Sequence, residues 1–256
     1  MSWSEAGAAW GARAVDWATL VDPWSVPVYL DVLDRLNVGV DDRVLDVACG
    51  SGMAAVELRR RGATVAGLDA STALIDVASE RTPGGDFRVG DISDLPWGDD
   101  EFDVVTSFNG IWGLERPLAE VRRVLRPGGR FGISFFGSFE HMDIMSSWIV
   151  ALLECSPPDE SGDDLLAISY PGAAEVMVTS AGMTPVERGS TTCTQEFPDV
   201  ATAVRAYSAL GPAWAAIDHV GDEKWSNRLA ELFEPYRARS GIVRLTNEWG
   251  WLIGSG

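Results

Sequence analysis

Basic residues, histidines, cysteines and membrane-length apolar runs are all scarce in this chain, and each shortage removes a class of function. Twenty lysines and arginines stand against 38 aspartates and glutamates in 256 residues, a formal net charge of -18. The averaged field repels phosphate, so DNA, RNA and anionic lipid are not expected partners. The densest basic cluster, Arg122-Arg123 with Arg126 and Arg130, reads as a solvated surface. Three cysteines, Cys49, Cys155 and Cys193, are too few and too scattered for a disulfide framework or a tetrahedral zinc site, so no metal is expected and a reducing compartment fits. No apolar run is long enough to cross a bilayer, and Met1-Ser2-Trp3-Ser4-Glu5-Ala6 lacks the basic start and apolar block of an export signal. The expectation is a cytoplasmic protein without a membrane segment.

What is present is the composition of an ordinary α/β domain, 46% hydrophobic and 23% charged. Short runs rich in Val, Leu, Ile and Phe alternate with helical patterns between residues 43 and 136, the signature of successive βαβ units and a parallel sheet. Strands are expected at 43–47, 64–68, 86–89, 102–107 and 130–136, and helices near 52–61, 72–81 and 117–125. Pro127-Gly128-Gly129 is expected to stop the last of these helices before the fifth strand. Residues 1–40 read as a helical lid and 41–137 as the core. Residues 138–240 read as a mainly helical cap with one strand near 184–196, and 241–256 hold a final strand. With no repeat or linker, one domain over 1–256 is expected.

The strongest chemical signal is Val44-Leu45-Asp46-Val47-Ala48-Cys49-Gly50-Ser51-Gly52, a buried-type strand running into a glycine turn and a helix. Gly50 and Gly52 remove the Cβ atoms that would block a ligand, and the following helix offers free N–H groups there. Alone, such a turn serves geometry as often as binding. Gly50-Ser51-Gly52-Met53-Ala54-Ala55 even satisfies the fingerprint of dinucleotide sites, with Asp69 placed to accept a ribose diol, so an NAD-dependent oxidoreductase is a competitor. Asp46 argues against it: a carboxylate just before the glycines would repel a pyrophosphate at short range. A cationic, phosphate-free ligand is favoured.

These residues resemble the class I S-adenosylmethionine-dependent methyltransferases, small-molecule branch, over roughly residues 40–136. Leu45-Asp46-Val47-Ala48-Cys49-Gly50-Ser51-Gly52 matches that family's first motif, which implies Asp46, Ala48, Gly50 and Gly52 around the amino-acid end of S-adenosyl-L-methionine. Gly67-Leu68-Asp69-Ala70-Ser71 matches the second and implies Asp69, with Ala70, at the ribose. Gly90-Asp91-Ile92-Ser93-Asp94-Leu95-Pro96-Trp97 is similar to the third, implying Asp91 at the adenine amino group and Ile92 on the adenine face. Phe102 to Asn109 resembles the fourth. The resemblance also implies a seven-stranded, mostly parallel, doubly wound sheet of order 3-2-1-4-5-7-6, the last strand antiparallel, under a helical lid. Taken residue by residue, Asp69 could equally cap a helix and Asp91 sit in an ordinary turn. Asp103 reads as exposed strand entry.

Methyl transfer from a sulfonium is an in-line displacement, so alignment and a dry site matter more than a covalent intermediate. Phe108, Asn109 and Trp112 follow the fourth strand, where an aromatic face could meet cationic sulfur or simply fill the core. Trp17 is the aromatic candidate in the preamble, since family members commonly cover the cofactor from that side. For a hydroxyl acceptor the candidate bases are His141, just past the fifth strand, and His219 on a cap helix, although a lone histidine is more often structural. Eleven tryptophans suit an apolar or aromatic, natural-product or quinone-like acceptor, or else packing between cap and sheet. A protein of the same fold that keeps the cofactor as a prop, catalysing a cyclisation for example, is the further alternative.

Overall fold

A computed structural model describes residues 2–111, 115–157 and 166–256. Seven strands form one sheet: β1 (Arg43–Val47), β2 (Thr64–Asp69), β3 (Asp86–Val89), β4 (Phe102–Phe108), β5 (Leu125–Phe136), β6 (Thr184–Phe197) and β7 (Val243–Ser255). Their order is β3-β2-β1-β4-β5-β7-β6. The first five are parallel, and β7 runs antiparallel to both β5 and β6. The order and the direction expected from the resemblance are those found. The described helices are α1 (Trp3–Gly11), α2 (Ala14–Asp16), α3 (Val26–Arg35), α4 (Met53–Arg60), α5 (Thr72–Arg81), α6 (Glu115–Val124), α7 (Val150–Cys155), α8 (Ala173–Ser180), α9 (Val200–Tyr207), α10 (Ala213–Val220) and α11 (Asp222–Phe233). No described helix is long and apolar enough to cross a membrane.

Side-chain alternation splits the strands between two buried layers. Val44, Val65, Val104, Phe108, Trp249 and Trp251 face the layer that holds α3 and the cap aromatics. Leu45, Val47, Leu68, Val105, Phe131, Ile133 and Leu252 face the opposite layer, with α6 and α8. By the same alternation Asp46, Asp69, Thr106, Ser134 and Phe136 stand on the α3 side, as do Asn247 and Gln195. We call this the lid face.

Two local expectations are corrected. The Pro127-Gly128-Gly129 turn does not precede the fifth strand but lies within it. α6 stops at Val124, Leu125 already pairs with Phe102, and the register shifts before Val104 meets Arg130, with Gly128 at φ +72°. A bulge within the strand, tolerated because Gly adopts the left-handed region, thus replaces a helix stop. Asp103 is buried rather than exposed, because it accepts the Arg43 amide at 2.8 Å and pairs with Arg126.

The cap is held by aromatic packing on the lid face. Trp225 of α11 is fully buried, and its indole N–H donates to Ser208 Oγ at 2.8 Å, while Tyr207 packs edge-on against Phe233 at 5.0 Å. Truncating such a residue leaves a large cavity and removes one hydrogen bond to Ser208, whose hydroxyl still donates to the Val204 carbonyl. Trp225→Ala should therefore lower unfolding stability by about 3–5 kcal/mol in urea titration; a loss below about 1 kcal/mol would show that α11 is not anchored there.

Candidate functional site

The carboxyl ends of β1, β2 and β4 converge where the strand order reverses, the crevice in which open α/β sheets bind ligands. Three backbone choices open it. Ala48 and Asn109, the residues just beyond β1 and β4, both take positive φ, +58° and +55°. Gly110 presses on Ala48 so closely that a Cβ there would stand 2.3 Å from the Ala48 Cβ. Gly52, at φ +77°, starts α4, and a Cβ on it would meet Ala78 Cβ at 2.8 Å. Non-glycine residues in the left-handed region mark places where the surrounding structure overrules local preference, and such strain collects at sites.

Three buried carboxylates line this crevice. Asp46 accepts the Thr106 hydroxyl at 2.7 Å, and burial, reinforced by the charges of Asp22 and Asp69, lifts it from the ordinary carboxylate range to about 7, against the opposing pull of that hydroxyl. Asp69 accepts the Gly50 amide at 2.9 Å and the Ser71 amide at 2.9 Å, and burial pushes it upward too. Asp22, from the lid, accepts Tyr29 Oη at 3.0 Å and the Ser51 hydroxyl, and pairs with Arg81 at 3.2 Å. Arg81 also donates to the Ser51 carbonyl at 3.0 Å and the Ala18 carbonyl at 2.5 Å, so one guanidinium ties lid to glycine turn. Asp22, Tyr29 and Arg81 carry no sequence signal of a role at this site. They belong to no motif, and Arg81 lies 30 residues from the Ser51 it holds.

The lid closes over this crevice. Trp17 lies over the turn, so that a Cβ on Gly50 would stand 3.3 Å from its Nε1, and Trp10 packs edge-on against it at 5.1 Å. The Trp17 Nε1 is buried without a hydrogen-bond partner among the described residues. α1 lies on the loop after β2, where a Cβ on Gly7 would collide with the Ala70 carbonyl at 2.0 Å and one on Gly11 with Ser71 Oγ at 2.4 Å.

Of the residues singled out from sequence, the structure brings together Trp17, Asp46, Ala48, Gly50, Gly52, Asp69, Ala70, Phe108 and Asn109. Phe108 packs on Tyr29 at 4.5 Å, and the Asn109 amide donates to the Ser134 carbonyl at 3.0 Å. Asp91 and Ile92 follow β3 one strand further out; Asp91 accepts the Ser93 amide at 2.8 Å, and Ile92 packs on the layer opposite the lid. The Gly90 amide links them to the crevice through the Asp69 carbonyl at 3.0 Å. His141 sits on the sheet's carboxyl edge, exposed, its Nδ1 3.6 Å from Glu248 Oε2. His219 is exposed in the last turn of α10, a helix packed on α1, α7 and α11, and is not brought to the crevice. Trp112 lies outside the described residues. No cluster of metal ligands occurs among the described residues.

Residues 45–133 match the family model described as a methyltransferase domain. The chain carries a class I methyltransferase domain. Among curated relatives it is 37% identical to the demethylmenaquinone methyltransferase of Renibacterium salmoninarum over 108 residues, 41% of this chain and 46% of that one. It is 31% identical to the malonyl-[acyl-carrier protein] O-methyltransferase of Erwinia pyrifoliae over 183 residues, 70% of this chain and 66% of that one. The chain spans about half the length of the first of these relatives. In fold it resembles the chain bound to the Trm112 methyltransferase activator in a Haloferax volcanii complex, with TM-score 0.61 and 23% identity, covering 99% of this chain and 97% of that one. It also resembles the [4+2]-cyclase SpnF, with TM-score 0.56 and 18% identity, covering 89% and 79%.

The family implies S-adenosylmethionine, and the residues present suit it. Asp46 is a buried carboxylate whose largest neighbouring charges are other carboxylates, the setting an ammonium group relieves. Gly50 and Gly52 carry no side chain of their own, and the indole N–H of Trp17, packed on Gly50, lacks a partner among the described residues. Asp69 keeps lone pairs free beyond its two backbone bonds.

A pH dependence follows with a definite sign. Asp46 titrates near 7, so its ionised fraction rises between pH 6.0 and 7.5, and a ligand ammonium gains its counter-charge over that interval. Affinity for S-adenosylhomocysteine should therefore rise with pH by a factor on the order of five, and Asp46→Asn should bind weakly with no such slope. Calorimetry at the two pH values checks this; a flat wild-type profile rejects Asp46 as the ammonium's partner.

Proposed function

We propose that this chain transfers the methyl group of S-adenosylmethionine to the oxygen or nitrogen of a small organic acceptor, apolar or aromatic, held between the strand ends and the cap. The observation that carries the reading is the uncompensated Asp46 carboxylate buried at a glycine turn. When bound, the sulfonium supplies an electrophilic methyl group. Asp46 and the backbone of Ala48, Gly50 and Gly52 would hold its amino-acid end. Asp69, beside Ala70, would accept the ribose hydroxyls, Asp91 the adenine amine, and Ile92 would lie on the adenine. Trp17 and α1 exclude water from above, and Phe108 and Asn109 border the path to the acceptor. For a hydroxyl acceptor His141 is the candidate base, with Glu248 positioned to orient its ring.

Three buried carboxylates would repel a pyrophosphate, which weighs against a nicotinamide cofactor. Fold alone does not fix the reaction, since a [4+2]-cyclase shares it. The deciding measurement is therefore product mass. Incubated with S-adenosylmethionine and a panel of phenols, hydroxyquinones and amines, the protein should yield an acceptor in which a methyl group has replaced a proton, heavier by one CH2, together with S-adenosylhomocysteine and the released proton. Tight cofactor binding without any methylated product across the panel would sink methyl transfer and favour the cyclase-like reading.

Asp69→Asn tests the ribose assignment separately. It should weaken S-adenosylhomocysteine binding by about 1–3 kcal/mol through lost charge-assisted hydrogen bonds. Unchanged affinity in folded material would remove Asp69 from the site.

A further inference from the structure

Six indole N–H groups among the described residues divide into two sets. Those of Trp97, Trp225 and Trp251 donate to Asp86, Ser208 and Thr191 at 3.0, 2.8 and 3.1 Å. Those of Trp17, Trp148 and Trp249 are buried and have no hydrogen-bond partner among the described residues. A buried donor left unpaired is expensive, and its persistence calls for a reason. Trp17 has one already, lying over the cofactor turn. Trp148 and Trp249 lie elsewhere, 4% and 6% exposed, on the lid face beyond β4.

Asn247 ties the segments that carry these two residues to one another, and both belong to the same buried cluster. Asn247 of β7 accepts the Ile144 amide at 3.0 Å, pinning the start of the π-helical turn Met145–Ile149 that carries Trp148. Trp249 follows Asn247 by two residues and so points to the same face. Phe136 is stacked on Trp249 at 5.2 Å with an interplanar angle of 23°, and Phe136 is half-exposed at the strand end. Ser134, two residues earlier on the same face of β5, pairs in register with Phe108 and has a buried, unpartnered hydroxyl of its own. A row of aromatic surface with unused donors thus runs from the strand ends that border the cofactor crevice into the cap.

We infer that Trp148 and Trp249 are specificity-determining residues whose indole N–H groups receive an acceptor oxygen of the substrate, so the substrate is a planar conjugated molecule bearing a carbonyl or oxyanion. The ring of such a molecule stacks against the Phe136–Trp249 wall. Its oxygen satisfies donors that nothing in the chain satisfies, and an isosteric molecule without that oxygen leaves them bare. Indole donates and cannot accept, so a ligand presenting only N–H or ammonium groups is refused at this point. The inference rests on the methyl-transfer reading for its setting, since it takes the lid-face region where β5 and β7 meet the cap as the acceptor's place.

The test compares chromone and naphthalene, planar bicycles of equal size of which only the first carries a ring carbonyl. Binding is measured by calorimetry with S-adenosylhomocysteine saturating. Wild-type protein should bind chromone about tenfold or more tightly than naphthalene. Trp148→Phe and Trp249→Phe keep the aromatic surface and remove one N–H each; each should weaken chromone by about fivefold while leaving naphthalene and S-adenosylhomocysteine unchanged. Equal binding of the two probes by wild type, no binding of either, or an undiminished chromone preference in both variants overturns the inference. The wild-type comparison needs no variant to fold. Failure of S-adenosylhomocysteine to bind, read in the same instrument, strikes the methyl-transfer proposal instead, and the chromone preference without it still reports on the indoles.

Discussion

Burying three carboxylates around one turn is the constraint on which the rest of this structure depends. Asp22, Asp46 and Asp69 are all less than one-tenth exposed, and Asp22 and Asp69 both raise Asp46 by their charge. In a low-dielectric crevice such like charges reinforce one another's cost, and a buried ion is tolerated only when hydrogen bonds and counter-charge surround it. Asp69 is served by two backbone amides and Asp22 by Arg81 with two hydroxyls, which leaves Asp46 with Thr106. The unmet demand at Asp46 is one that a cation would relieve. The same demand explains the latch, because Arg81 offsets Asp22 only while the lid segment lies on the glycine turn.

Strand parity decides which side of the sheet can be functional. Asp46, Asp69, Thr106, Ser134 and Trp249 all fall on one face, and the opposite face is filled by Leu45, Leu68, Val105, Ile133 and Leu252. A slip of one residue in β1 would send Asp46 into the aliphatic layer and Leu45 into the crevice. The short hydroxyl bond from Thr106, and the direct pairing of Asp46 with Thr106 in register, resist that slip. Chemistry and register therefore support each other.

The core of the fold was legible because periodicity and punctuation agree there. Arg43–Val47 and Thr72–Arg81 occur where alternation and helical spacing put them, and the carboxylates at strand ends follow from the glycine motif. Pro127-Gly128-Gly129 misled because the same residues that end helices also permit a kinked strand entry. Asp103 misled because polarity suggests exposure unless a partner is known, and Arg126 and the Arg43 amide are partners only in three dimensions. The Asp22–Ser51–Arg81 latch and the unpaired indoles were invisible for the same reason: each depends on elements distant in the chain, and neither has a spacing of its own.

Lid, cap and crevice are not independent bodies, because small residues let large ones touch across their boundaries. Trp10 packs so tightly on Gly211, just before α10, that a Cβ there would stand 2.5 Å from the ring. Trp10 meets Trp17 edge-on at 5.1 Å, and Trp17 covers Gly50. A contiguous line of packed groups thus leads from the cap to the glycine turn. Interiors packed at this density move as discrete arrangements rather than by gradual yielding. Displacing Trp10 from Gly211 therefore disturbs the edge-on contact that holds Trp17 over Gly50. In a displacement reaction, where water has to be kept from an electrophilic methyl group, covering the glycine turn with contacts that also tie it to the cap is the arrangement the chemistry rewards.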